Sequence, residues 1–150
     1  MMAMQSGEIV IRGVQPGEIP AAVKLLAYLN ADTAVEILRD RLDSILRESP
    51  HYQLFGAFIG AQLLGIAGAW IATKVWCGKY LEIDNIVVDP TRRSSGIGSL
   101  LISHLEEIAR HNDCDIVVLD SYSANHASHR LYHRAGFHIG GFHFLKWLER

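Results

Sequence analysis

Eight residues in a row, Arg92-Arg93-Ser94-Ser95-Gly96-Ile97-Gly98-Ser99, combine two cations, two glycines and three hydroxyls just before an apolar run with helical spacing. Glycine permits backbone torsions that other residues avoid and lets a ligand approach the main chain closely. The amides of residues 94–99 fall where a helix begins, and there unsatisfied N–H groups and the helix dipole favour an anion, with Arg92 and Arg93 adding full charge beside them. The chemistry on offer is phosphate binding. A glycine turn that merely opens a helix would look the same over six residues, so the decision rests with the remainder of the chain. The nucleotide motifs do not fit: a P-loop needs a Lys-Ser/Thr pair where Ser99-Leu100 stand, and a dinucleotide fingerprint needs a third glycine where Leu101 stands.

A second group of reactive side chains lies just upstream. Tyr80 to Val88 is apolar and β-branched up to the breaker Asp89-Pro90, and alternation along such a strand places Glu82, Asp84, Ile86 and Val88 on one face. The two carboxylates are then about 7 Å apart at Cα. An unpaired buried carboxylate is costly, so acids here imply a wet cleft or an exposed strand end, and a bulge would break the count. Three histidines, His126, His129 and His133, follow at one-turn spacing on a later helix. That spacing can hold zinc, but the glutamate of a metalloprotease is missing and histidines so placed are commonly polar surface, so no metal site is expected. Cys77 and Cys114 lack the paired spacing of a disulfide framework or a zinc site.

The elements that must position these residues follow from periodicity. A first strand over 8–12 ends at Gly13, and Ile19-Pro20 opens a helix with Val23, Leu26 and Leu29 on one face. Thr33 and Glu36 have the spacing of a capping box for a second helix, which runs through Leu38, Leu42 and Ile45 to Ser49-Pro50. Strands over 53–59 and 63–71 form a hairpin across Gly60-Ala61-Gln62; Gly65 and Gly68 inside the second mark a bulge or close packing from a neighbour. Trp70 and Trp76 flank the next turn as pocket walls or rim packing. After the strand at 80–88 come a helix at 98–111, with Leu101, Leu105 and Ile108 in register with Ile97, and a strand at 115–119, a link long enough for a right-handed parallel crossover. A helix from His126 to Arg134 stops at Gly136, and the alternating aromatics of 142–148 predict a final strand.

At 150 residues the chain reads as one domain, 1–150, able to bury a sizeable core. A net charge of -2 gives no general attraction to nucleic acid, and two unpaired cysteines fit a reducing, cytoplasmic setting. The N-terminus lacks the basic and apolar regions of a signal peptide, and the longest apolar run, Leu63 to Ala72, falls well short of the roughly 20 residues a membrane helix needs. No membrane partner is expected.

Two stretches in this order carry a family resemblance. Val88-Asp89-Pro90 followed by Arg93-Ser94-Ser95-Gly96-Ile97-Gly98 resembles the signature of the GCN5-related N-acetyltransferases (GNAT), Arg/Gln-x-x-Gly-x-Gly/Ala after a Val-Asp-Pro strand end. Asn125 to Phe137 is similar to the later motif of that family, Asn-x-x-Ala-x-x-Phe/Leu-Tyr-x-x-x-Gly-Phe, with Ser128 where alanine is common and Leu131 where phenylalanine is. The resemblance implies an α/β (α+β) fold: a central mixed, mostly antiparallel twisted sheet of six to seven strands, helices on both faces, and a parallel pair splayed at the cofactor site. It implies acetyl-CoA as co-substrate, with the pyrophosphate on Arg93, Ser94, Ser95, Gly96, Ile97, Gly98 and Ser99. The pantetheine arm would pair with the backbone of Ile86, Val87 and Val88 as an added strand and meet Asn125 from the other side. An N–H near Val87 or Val88 would polarise the thioester oxygen.

The implied reaction is direct transfer to a primary amine in a ternary complex, with no acetyl-enzyme, since neither cysteine stands beside an obvious base. An amine of pKa about 10.4 is almost wholly protonated at pH 7, so a base must act first. Glu82 is the first choice and Asp84 the second, while Tyr132 matches the family's general acid for the leaving thiolate. The run His126-x-x-His129-Arg130-x-Tyr132 with His143-Phe144 is also similar to acetyltransferases of small amines, including aminoalkylphosphonates, which favours a small-molecule acceptor. A protein N-acetyltransferase and a non-catalytic acyl-CoA sensor remain as alternatives; the sensor would need the glycine turn and Asn125 but neither Tyr132 nor the acids. The aromatic C-terminal strand with Phe142, Phe144 and Trp147 offers a homodimer face.

Overall fold

Two apolar strands, β2 (Tyr52–Ile59) and β3 (Gln62–Lys74), form the central hairpin of the computed structural model, which describes residues 7–150. β1 (Val10–Gly13) pairs antiparallel with β2, and β4 (Gly78–Val88) pairs antiparallel with β3. β5 (Ile116–Leu119) runs parallel to β4, so among the described residues the sheet has five strands in the order β1-β2-β3-β4-β5. The parallel step is carried by α3 (Ile97–His111), the crossover expected from the long link. Three further helices are α1 (Ile19–Leu29), α2 (Val35–Glu48) and α4 (His126–Arg134). Two compact units divide the chain after Leu119.

In the first unit each face of the sheet buries a different helix stripe. Tyr52, Leu54, Ile66 and Val87 join Val23, Leu26, Leu38 and Leu42 of α1 and α2 in one buried cluster. On the other face, a Cβ added at Gly65 would meet Ile97 and Leu101 of α3 at 3.2 and 3.4 Å, and the ring of His104 stands edge-on to Phe55 at 5.0 Å. Close helix packing is thus the reason for glycine at 65. Gly68 serves a neighbour on the opposite face: a Cβ there would fall 2.7 Å from Cε2 and Cζ of Tyr52, whose ring lies across it.

Three sequence expectations are corrected. Thr33 does not cap α2; its N–H closes a turn onto the Asn30 carbonyl at 3.0 Å, and the helix starts one residue later from Ala34, with no side-chain cap. Residues 138–150 form no regular secondary structure, so the sheet has five strands rather than six to seven. Alternation shows which residues of 142–148 would share a face; it does not supply the partner backbone on which a strand depends. The third correction concerns β4. Gly68 faces Asp84 and Ile66 faces Val87, so two residues of β4, Asn85 and Ile86, stand against Ala67 alone. Past this bulge the parity reverses. Glu82 and Asp84 do share a face, but Val87 joins them there in place of Ile86 and Val88.

Candidate active site

The two edges of β4 end at different places. Against β3 it stays paired to Val88, whereas its pairing with β5 ends at Ile83 opposite Leu119. From Asp84 onward the backbone edge on that side has no strand beside it among the described residues, and the bulge with Asn85 at φ 55° re-aims the chain just there. Ile86, Val87 and Val88 lie on this open stretch.

Beyond β4, Asp89 accepts from the N–H and hydroxyl of Thr91 at 2.9 and 2.7 Å, turning the chain toward α3. The Ser95 hydroxyl donates to the Arg92 carbonyl. Ser94 and Gly96 take left-handed torsions, φ 63° and 83°, and Gly96 immediately precedes α3. The helical ladder begins with Leu100 N–H on the Gly96 carbonyl at 3.1 Å, so the amides of Ile97, Gly98 and Ser99 have no carbonyl one turn back to bond. Arg93, Ser94, Ser95, Gly96 and Ser99 are exposed, and Ile97 alone of the turn is buried. Exposed amides that open a helix beside arginine have the chemistry an anion would need.

The acids sit on the α1 and α2 face. Glu82 lies opposite Trp70 in register and Asp84 opposite Gly68, both half-buried. The Trp70 indole Nε1–H donates to Asp84 Oδ2 at 3.0 Å. Trp76, by contrast, is exposed on the β3–β4 turn.

The second unit holds the other predicted residues. Asn125 caps α4: its Oδ1 accepts from Ser128 N–H at 3.4 Å, which leaves its amide N–H groups as donors. Tyr132 is half-buried with Phe137 edge-on at 6.2 Å, and burial raises its phenol above the ordinary range against a smaller opposing effect of a Ser128 hydrogen bond. His129 Nε2 contacts the Tyr122 carbonyl at 2.9 Å and His133 Nδ1 the Phe137 carbonyl at 3.2 Å. Among the described residues no three His, Cys, Asp or Glu side chains are grouped to hold a metal. Cys114 has its thiol pushed up by burial, the wrong direction for a nucleophile.

A family model described as "Acetyltransferase (GNAT) family" matches residues 23–137. The chain belongs to the GNAT family. It is an N-acetyltransferase whose acetyl donor is acetyl-CoA. Three curated GNAT relatives differ in acceptor. An aminoalkylphosphonate N-acetyltransferase of Salmonella typhimurium is 28% identical over 75% of this chain and 79% of its own. A glucosamine 6-phosphate N-acetyltransferase of Trypanosoma brucei brucei is 42% identical over 51% of each chain. The N-alpha-acetyltransferase RimI of Mycobacterium tuberculosis is 35% identical over 59% of this chain and 54% of its own. The match thus spans about half the length of the latter two. Among solved structures, one titled a transcriptional regulator from Bacillus halodurans shares the fold at TM-score 0.85 and 19% identity, covering 94% of this chain and 100% of the other.

One feature of this GNAT chain was not foreseen from sequence: the aromatic support of Asp84. Trp70 and Asp84 are 14 residues apart, and their hydrogen bond depends on the β3–β4 register. The sequence had marked Gly68 for close packing, Trp70 for a pocket wall or rim and Asp84 as a base, but nothing in it joined the three.

Proposed function

We propose that this GNAT enzyme transfers acetyl from acetyl-CoA directly to the primary amine of a small molecule. Arg93, Ser94, Ser95, Gly96, Ile97, Gly98 and Ser99 hold the pyrophosphate, and Ile86, Val87 and Val88 pair with the pantetheine arm as a short added strand, with Asn125 donating an amide N–H to it. The observation that carries this reading is the coincidence of an open β4 edge after Ile83 with the exposed amides that begin α3. Glu82, or else Asp84, takes the proton of the acceptor ammonium. The freed nitrogen attacks the thioester carbonyl, whose oxygen is polarised by an N–H near Val87 or Val88. On collapse the C–S bond breaks, the departing sulfur receives the Tyr132 proton, and the second proton shed by the nitrogen as it becomes an amide returns, by way of solvent, to the phenolate. The raised phenol suits that role, because it keeps its proton at neutral pH. The raised Cys114 thiol supports transfer without an acetyl-enzyme.

Two relatives are named for amines that also bear a phosphate or phosphonate, which supports a small anionic acceptor; the RimI match keeps a protein amino group as the alternative. The family match crosses both units, in support of one catalytic domain over 1–150. No helix among the described residues is long and apolar enough to cross a membrane, and a cytoplasmic setting is part of this proposal. So is a homodimer through the exposed aromatics Phe142, Phe144 and Trp147. The test is thiol release from acetyl-CoA across aminoalkylphosphonates, amino sugars, polyamines, aminoglycosides and N-terminal peptides. Release with a small amine is the expected result; release with peptides alone selects the protein acceptor, and silence throughout overturns the small-amine reading and leaves a whole-protein acceptor or an acyl-CoA sensor.

A further inference from the structure

We propose that Trp70 is a positioning residue for acetyl transfer, its indole N–H holding the Asp84 carboxylate toward the acceptor amine at the point where β4 parts from β5. The inference deepens the acetyltransferase reading above and rests on it. Four residues build the arrangement. Tyr52, Trp70 and Glu82 lie in one cross-strand row, and Leu54, Gly68 and Asp84 in the next. Because Gly68 has no side chain, the Tyr52 ring can lie flat against that strand, and it is buried there beneath α1 and α2. Tyr52 in turn packs against Trp70, ring centres 4.7 Å apart and planes tilted by 54°. The indole has one polar atom, a donor, and it reaches diagonally to Asp84 Oδ2 at 3.0 Å.

The chain of contacts removes freedom at each step. Tyr52 and Trp70 have two side-chain torsions each, both rings are packed, and a carboxylate tied through one oxygen presents the other in a set direction. Asp84 is also the first residue of β4 past the end of β5 pairing and the last before the bulge. A carboxylate is thereby fixed beside the open backbone edge, where a proton acceptor for an incoming ammonium is needed. Burial, with a smaller effect of the Asp84 charge, pushes the Tyr52 phenol far above its usual value, so that neighbour stays neutral.

The test is a double-mutant cycle on the full chain, with the best amine from the panel. Trp70→Phe keeps a ring and removes the donor. It should lower kcat/KM for the amine about tenfold, the scale of one hydrogen bond to a charged group, and leave KM for acetyl-CoA unchanged. In an Asp84→Asn background the same change should add little, because Trp70 acts through that carboxylate. Equal losses in both backgrounds, or no loss in either, would overturn the proposal while leaving the enzyme intact. A readout independent of turnover is the Trp70 indole N–H resonance, assigned by its absence in Trp70→Phe. It should move in Asp84→Asn, and an unmoved resonance overturns the contact itself. An inert wild type across every amine would instead sink the acetyltransferase reading, and the positioning role with it.

Discussion

Burial keeps two phenols protonated where their acidity matters, and each gives a test at the level of one residue. Tyr132 is raised by burial, so in the wild-type enzyme it keeps its proton at neutral pH. Tyr132→Phe should lower kcat by ten- to a hundredfold or more, the usual span of general acid catalysis, with the Kd of acetyl-CoA by calorimetry unchanged. Equal loss in binding would make the tyrosine a packing residue. For Tyr52 the linkage concerns stability. Its folded-state value lies above the unfolded one, through burial first and the Asp84 charge second. The folded state therefore binds the proton more tightly: this stabilisation is complete below about pH 10 and is lost as pH rises beyond it. Urea midpoints followed into the alkaline range should fall for wild type and fall less steeply for Tyr52→Phe. The identity of such residues was legible only in part. Tyr132 and Asn125 stood out through a motif, whereas Tyr52 was one aromatic among several, since its meaning comes from Gly68 and Asp84 across two strand pairings.

At the level of elements, periodic segments were readable and their junctions only in part. The apolar stripe of Ile97, Leu101 and Leu105 identified α3 because burial imposes one spacing on a whole helix. A bulge in β4 was allowed for, but its place was not readable, because one extra residue against Ala67 leaves no compositional mark on β4, yet it decides that Val87 joins the face of Glu82 and Asp84. Two glycines at such junctions predict opposite phenotypes. Gly96 has φ 83° and no atom within 4 Å of the place a methyl would occupy, so Gly96→Ala meets only the left-handed backbone penalty, about 1–2 kcal/mol. Its Tm should fall by a few degrees while acetyl-CoA binding falls more than tenfold, because the turn opening α3 is the proposed pyrophosphate cradle. Gly65→Ala puts a methyl 3.1 Å from the Val87 carbonyl and 3.2 Å from Ile97, a crowding that costs about 1–3 kcal/mol. It should lose more Tm than Gly96→Ala and less affinity per degree lost. Scanning calorimetry with a cofactor titration on each variant separates the two, and loss of affinity in step with Tm for both would remove the cradle.

The whole molecule exposes more large apolar surface at its C-terminal end than an isolated chain has reason to. Ile139, Phe142, Phe144, Leu145, Trp147 and Leu148 range from 64% to 91% exposed, and none lies in a helix or strand. Their alternation was visible in the sequence; that no strand forms from them was not, because pairing depends on a partner backbone that composition does not encode. Exposed aromatics of this size are the ground for the homodimer face proposed above. A second copy of the chain is the partner proposed, since every copy carries the same segment and an isologous pair would cover both at once. Light scattering of the wild-type protein should report a dimer at micromolar concentration, and the triple change Phe142→Ser, Phe144→Ser, Trp147→Ser should report a monomer. Turnover per chain in that variant then shows whether the pair contributes to the site: unchanged turnover confines the segment to assembly, and a fall in step with dimer loss makes it part of the working enzyme. A wild type that stays monomeric throughout that range removes the dimer.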